Sequence, residues 1–224
     1  MSVLSPHLLE ICLLALCACA ACWVRPWRLL AFDSPYSLLP ALLLLGIALP
    51  VLWWWPGAQL GPLLCMVGAN LALLALGWPL AVLLFALAAA AGVLTGQAEM
   101  GAAAALAFWQ GVLPATLGLL GGHALRRVFG THIASYLLGR AFLLPLLCTF
   151  GAAMAAQAVT GRFDALGAQA APALFLVALI DAMLTATVVT LLVAEQPTWL
   201  ATWSDRLYLR ARRRSESWTR PLRG

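Results

Sequence analysis

The chain has 224 residues, 64% of them hydrophobic and 9% charged, with a formal net charge of +5 and a mean hydropathy of +0.96. A water-soluble globule with that balance could not cover its core, so the composition excludes a soluble enzyme domain and predicts an all-α polytopic membrane protein without catalytic activity. The length suits about seven helices of roughly 20 residues joined by short connections.

Pro, Gly and charge punctuate the apolar stretches. Span 1 is expected over about Leu8 to Val24, ending at Arg25-Pro-Trp-Arg28, and span 2 over about Leu38 to Trp55, stopping at Pro56-Gly57. Span 3 covers about Pro62 to Leu76, and the break Gly77-Trp78-Pro79 separates it from span 4, about Leu80 to Leu94. After a polar loop at Gly96–Gly101, span 5 runs about Ala102 to Leu125 and ends at Arg126-Arg127. Span 6 runs about Tyr136 to Val159 and span 7 about Pro172 to Ala194. These spans define one membrane domain, residues 1–196, followed by a basic juxtamembrane tail, residues 197–224. The start of the chain has no basic n-region and is not read as a cleaved signal peptide.

All thirteen basic residues are Arg, and seven of them lie between Arg206 and Arg223. With seven spans, Arg25 and Arg28, the Arg126 pair and this tail fall on one side of the membrane, and Glu10, Glu99 and the offset pair Arg162 and Asp164 on the other. The positive-inside tendency then places the N-terminus outside and the C-terminus in the cytoplasm. The basic tail is expected to meet anionic lipid, not nucleic acid. Trp53-Trp54-Trp55 is expected at the outer interface, and Trp199 and Trp203 at the inner one, where a stripe with Leu200 and Leu207 would lie along the membrane surface. Gly118-xxx-Gly122 and Gly151-xxx-Ala155 would let helix backbones approach closely.

Asp181 is the sharpest single position. It lies nine residues into span 7, roughly 13 Å deep by helical rise. A carboxylate there needs a partner or a wet cavity, so Asp181 is expected to face the bundle interior, with Thr185 one turn on along the same face. It is a candidate substrate or coupling group, or else a polar clasp between helices. Asn70 and Gln110 are amides inside apolar spans and, with Asp181 and Thr185, candidate substrate-binding or coupling residues, although such amides more often make interhelical hydrogen bonds. Arg140, near the inner end of span 6, is expected to snorkel to the interface. Cys19-Ala-Ala-Cys22 has the spacing of a thiol pair, but within a run that also holds Cys12 and Cys17 it reads first as helix packing. HExxH, GxSxG and Walker A motifs do not occur.

The run Asp181-Ala-Met-Leu-Thr185, the apolar stretch after it, and then Pro197, Trp199, Asp205, Arg206, Tyr208 and Leu209 resembles the C-terminal end of energy-coupling-factor ABC transporter permeases (CbiM/NikM-like membrane proteins). Leu64 to Asn70, Gly77-Trp78-Pro79 and the stretch from Val112 to Gly139 are similar more weakly, so the resemblance covers about residues 60–209. It implies a substrate-capture component in the bacterial inner membrane, with Co²⁺ or Ni²⁺ as cargo, no cofactor of its own, a transmembrane coupling subunit and cytoplasmic ATPase subunits. Asp181 falls on the family's acidic position and Thr185 on its Asn position. Metal-binding members begin Met-His and carry a His in the third span. This chain begins Met1-Ser2, its first His is His7, and Cys65 stands at the third-span position. The metal ligands the resemblance implies are therefore His7 and Cys65 with the N-terminal amine. The alternative reading is a non-transport helical scaffold, or a thiol-based redox or metal-handling membrane protein using Cys19 and Cys22.

Overall fold

The computed structural model describes residues 7–27, 38–54, 67–161 and 164–203. Among these residues there are seven helices and no strand. Helix α1 is Leu8–Trp23, α2 is Leu39–Trp53, α3 is Ala69–Leu76 and α4 is Trp78–Leu94. Helices α5 (Met100–Phe129), α6 (Ser135–Thr160) and α7 (Ala170–Glu195) follow, and these three are long and apolar enough to cross a membrane. Helices α1, α2 and α4 are apolar but shorter, about 22–26 Å by helical rise against a hydrocarbon core of about 30 Å. Leu16, Leu43, Ile47, Leu87, Leu120, Leu138, Leu147, Leu176, Ile180 and Leu191 are all exposed, an apolar exterior that suits lipid.

Helix α3 is the hub. Its eight residues extend about 12 Å, too short to span a bilayer, and seven of them are buried. It touches α2, α4, α5, α6 and α7. Only the second half of the expected third span is therefore seen as helix among the described residues. Gly77, at φ 78° and ψ 164°, ends α3 and starts α4 in the same residue. A side chain rarely tolerates that backbone, which is why this abrupt break needs glycine.

The two longest helices depart from regular α geometry where proline enters them. In α5 the stretch Ala107–Val112 is π-helical and is followed by Pro114. In α6 the stretch Ser135–Leu143 is π-helical and is followed by Pro145. Proline offers no N–H to the carbonyl four residues back, Gln110 in one case and Ala141 in the other, and its ring crowds that carbonyl. A wider turn relieves the clash without ending the helix.

Glycine on α5 makes room for polar side chains. A methyl group at Gly118 would sit 2.7 Å from Asn70 Oδ1 and 2.8 Å from Leu73 Cδ2. One turn on, a methyl group at Gly122 would sit 3.0 Å from Arg140 Nε. The Gly118-xxx-Gly122 pair thus gives the close approach expected of it. Gly151 does not: it is exposed, with nothing within 4 Å of where its Cβ would be, because that face of α6 points away from the bundle.

The aromatic residues correct the expected interface belts. Trp53 is 3% exposed and stacks on Phe85 with ring centroids 5.9 Å apart. Trp54 donates from Nε1 to the Ala88 carbonyl at 2.8 Å and packs on Gly92. Trp55 lies outside the described residues. After α7 a short turn, Pro197–Trp199, leads the chain back under the bundle, where Leu200 and Trp203 are buried. Trp203 meets Tyr136 edge-on at 4.8 Å, so the expected interfacial stripe is, as far as Trp203, a packed strap. Its cause is the end of α3: Ala201 N–H donates to the Ala75 carbonyl at 2.9 Å, and Thr202 Oγ1 donates to the Leu74 carbonyl at 2.9 Å.

Gly118→Ala should lower the unfolding free energy of detergent-solubilised protein by about 1–3 kcal/mol through overpacking against Asn70 and Leu73. Gly151→Ala, in open space on a helix, should leave it unchanged or slightly raised. Denaturation of both variants beside wild type measures the contrast, and equal effects would contradict the packing described.

Candidate functional site

Four polar residues meet at the start of α3. Gly68, the residue before the helix, has φ 100°, a left-handed turn suited to glycine, and a side chain there would run into Leu49 Cδ2 at 2.8 Å. This turn aims its N–H at α7, where Asp181 Oδ1 accepts it at 2.8 Å. The other carboxylate oxygen, Oδ2, accepts from Thr149 Oγ1 of α6 at 2.8 Å. Asn70 Nδ2 donates to Thr149 Oγ1 at 3.0 Å. Asp181 is 0% exposed.

The physical logic is that of helix capping. The free N–H groups at a helix start carry partial positive charge and need acceptors. In an apolar bundle no water supplies them, and a carboxylate is the strongest acceptor available. Asp181 faces the interior as expected, because there it finds the Gly68 N–H and the Thr149 hydroxyl as donors. The geometry joins α3, α6 and α7 at one point.

The sequence expectations divide here. Asp181 and Asn70 come together. Thr149 and Gly68 complete the cluster without having been singled out. The signal for Thr149 was a lone hydroxyl in an apolar span, and for Gly68 a glycine just ahead of Asn70. Thr185 is 0% exposed, but its Oγ1 has no partner. Thr187 and Thr190 on the same helix donate to the carbonyls one turn back, so Thr185 is turned away from the usual local acceptor. Gln110 is 2% exposed, and neither its Oε1 nor its Nε2 has a partner. The interhelical bond expected of this amide is not made, because the π turn ahead of Pro114 rotates it away from the neighbours an α-helix would offer.

A second group of polar side chains collects where α1 packs on the start of α5. Glu10 is 5% exposed. Its Oε1 accepts from Trp109 Nε1 at 3.4 Å, a long bond, and its Oε2 has no partner. His7, one turn earlier, lies against Gly101, where a methyl group would come within 2.9 Å of its Cδ2, and its Nδ1 is buried and unpartnered. Gln110 follows Trp109 in the chain. Cys65, the other expected metal ligand, lies outside the described residues. Among the described residues no three His, Cys, Asp or Glu side chains form a metal-sized cluster. Cys12, Cys19 and Cys22 are free thiols exposed on the surface of α1.

Arg140 corrects the snorkelling expectation. It is 7% exposed, held against Gly122, and its Nε has no partner. It forms no ion pair with Asp181, whose two oxygens are engaged by Gly68 and Thr149.

No protein family, curated protein or solved structure matches this chain.

Asp181→Ala should destabilise the protein by about 1–3 kcal/mol or more, since it strands the Gly68 N–H and the Thr149 hydroxyl away from water. Thr149→Val should cost about 1 kcal/mol or more, and Thr187→Val, which removes only an exposed intrahelical bond, close to nothing. Unfolding of the three variants in one detergent orders them. A neutral Asp181→Ala would remove the capping account.

Proposed function

We propose that the chain is an integral membrane substrate-capture component of the energy-coupling-factor type, with Co²⁺ or Ni²⁺ as cargo. In this reading it sits in the bacterial inner membrane and works with a transmembrane coupling subunit and cytoplasmic ATPase subunits that supply the energy. The observation that supports the reading is the pair of buried, unpartnered atoms His7 Nδ1 and Glu10 Oε2 where α1 packs on α5; both amide atoms of Gln110, the residue after Trp109, are unpartnered as well. Leaving a polar group unpaired in an apolar interior costs about 1–3 kcal/mol each. Such atoms are what a site for a polar cargo requires, since the cargo provides the missing partners. Imidazole and carboxylate suit borderline divalent ions, and an amide oxygen can add to the set. The π turn that carries Gln110 fits the same reading, because such turns concentrate at functional sites. His7 and Cys65 with the N-terminal amine remain the ligand set implied by the resemblance, and Glu10 and Gln110 extend it.

One observation favours a second reading for part of the polar inventory. Both oxygens of Asp181 are occupied by donors within the chain, as a structural clasp requires. Asp181 therefore acts in this proposal as a positioning residue for α3, and Thr185, unpartnered one turn away, is the nearer candidate for cargo or coupling contact.

Equilibrium dialysis of the purified protein against Ni²⁺ and Co²⁺ tests the proposal. Wild type should bind close to one ion per chain, and Glu10→Gln and His7→Ala should each weaken binding about tenfold or more. Gln110→Leu should weaken binding while raising thermal stability, because it removes two buried unpaired atoms. No binding by wild type, or equal binding by all variants, would sink the metal reading.

The orientation belongs to the same proposal. Reporter fusions after Gly224 and within the Gly96–Gly101 loop should report the cytoplasm and the outside respectively, following the Arg distribution. A cytoplasmic signal from the loop at Glu99 would overturn it.

A further inference from the structure

Arg140 presents a charge that the described chain leaves unanswered. It is 7% exposed, its Nε is buried without a partner, and among the described residues no carboxylate pairs with it. A guanidinium whose Nε is buried without a partner is unfavourable unless a polar or charged group reaches it. The fold does not hide Arg140 by accident. Gly122 on α5 supplies the space, since a methyl group there would come within 3.0–3.3 Å of Nε, Cζ and Nη2. The π-helical stretch Ser135–Leu143 of α6 presents the side chain to that space.

The space opens into a cleft lined by Leu125, Arg126, Gly130, Ser135, Tyr136 and Arg140. Arg126 is exposed and Ser135 half-buried, so the cleft has a rim as well as a floor. Its lining residues include two arginines and two hydroxyl-bearing residues, Ser135 and Tyr136, and no acidic residue. Its volume is about 10 Å³, room for one oxygen-sized group. Water in that volume would give Arg140 a hydrogen bond but no countercharge. An oxyanion would give both, with one oxygen inserted at Arg140 and the rest of the anion at the rim beside Arg126. Arg127 and His132 lie close in sequence to the rim, and Tyr136 at its edge packs on Trp203 of the strap that closes α3.

We propose that this cleft is a binding site for a phosphate-type oxyanion, with Arg140 as the buried anchor, Arg126 as the rim cation and Ser135 as an additional donor. Guanidinium groups suit phosphate because their forked donors match its oxygens. Basic clefts between membrane helices at the cytoplasmic surface are suited to anionic lipid headgroups, and a free phosphate offers the same chemistry. The site is separate from the α1–α5 group and does not depend on the metal reading.

Native mass spectrometry of the full chain, released from membranes of mixed phosphatidylcholine and phosphatidylglycerol, tests the lipid source. Thermal melting in an uncharged, lipid-free detergent with added inorganic phosphate tests the soluble source. Wild type should retain phosphatidylglycerol in preference to phosphatidylcholine, and Arg140→Gln should reduce that retention about tenfold or more. Arg140→Lys should restore part of it, and Arg127→Gln, outside the cleft, should not change it. If wild type shows no lipid preference but phosphate raises its melting temperature and not that of Arg140→Gln, the site takes soluble phosphate. Should Arg140→Gln fail to fold, Arg126→Gln at the exposed rim replaces it in both arms, with loss of retention or of the phosphate shift expected. Wild type that neither prefers the anionic lipid nor responds to phosphate overturns the proposal, as does an unchanged response in the variants.

Discussion

A helix that starts and stops inside an apolar bundle must find partners for the backbone groups at both of its ends, and α3 sets that condition for the rest of this protein. It is eight residues long and buried along nearly its whole length. Water cannot reach its ends, so distant parts of the chain must. Asp181 of α7 meets the first end through the Gly68 N–H, and Ala201 and Thr202 meet the other at the Ala75 and Leu74 carbonyls. Both partners come from the last part of the described chain. Helix α7 must therefore pass α3 at the depth of Asp181, and the segment after it must fold back instead of leaving along the membrane surface. Gly68 and Gly77 supply the backbone turns at the two ends, and Gly118 supplies the gap that admits Asn70.

The same condition separates the polar residues into two kinds. Asp181, Asn70 and Thr149 satisfy one another and hold three helices in register. His7, Glu10, Gln110, Thr185 and Arg140 each keep at least one buried atom without a partner. Two of these, Gln110 and Arg140, sit in the π-helical stretches that precede Pro114 and Pro145. A proline in a long apolar helix frees a carbonyl and widens the turn before it, which rotates the side chains of that turn out of the regular helical pattern. In both helices the side chain in that stretch is polar and keeps at least one buried atom without a partner. The stable cluster and the unpartnered groups thus arise from different devices, helix capping in one case and proline-induced widening in the other.

Much of the element plan was legible in the sequence. Helices at Leu8, Leu39, Trp78 and Ala170 begin within a few residues of the positions marked by Pro, Gly and charge, and Gly77-Trp78-Pro79 marks the break after α3. The inward orientation of Asp181 was legible too, since a carboxylate at that depth has no stable place against lipid. The expectations that failed share a cause. Trp53, Trp203 and Arg140 were assigned to the interface because their residue types favour it on average, yet each is buried by a neighbour that composition does not reveal: Phe85, Tyr136 and Gly122.

Composition by itself showed that the chain is strongly apolar, with 64% hydrophobic residues, as suits a membrane protein, and the length of the apolar stretches pointed to helices. Sequence spacing determined where the helices break, since proline and glycine act locally on the backbone. Only the tertiary structure decided which polar groups meet. Whether Asp181 is a clasp or an open site depends on Gly68 and Thr149, which lie 113 and 32 residues away along the chain. Whether Arg140 reaches the surface depends on the missing side chain of Gly122. Such pairings are set by how helices cross, and no local pattern in the sequence encodes a crossing.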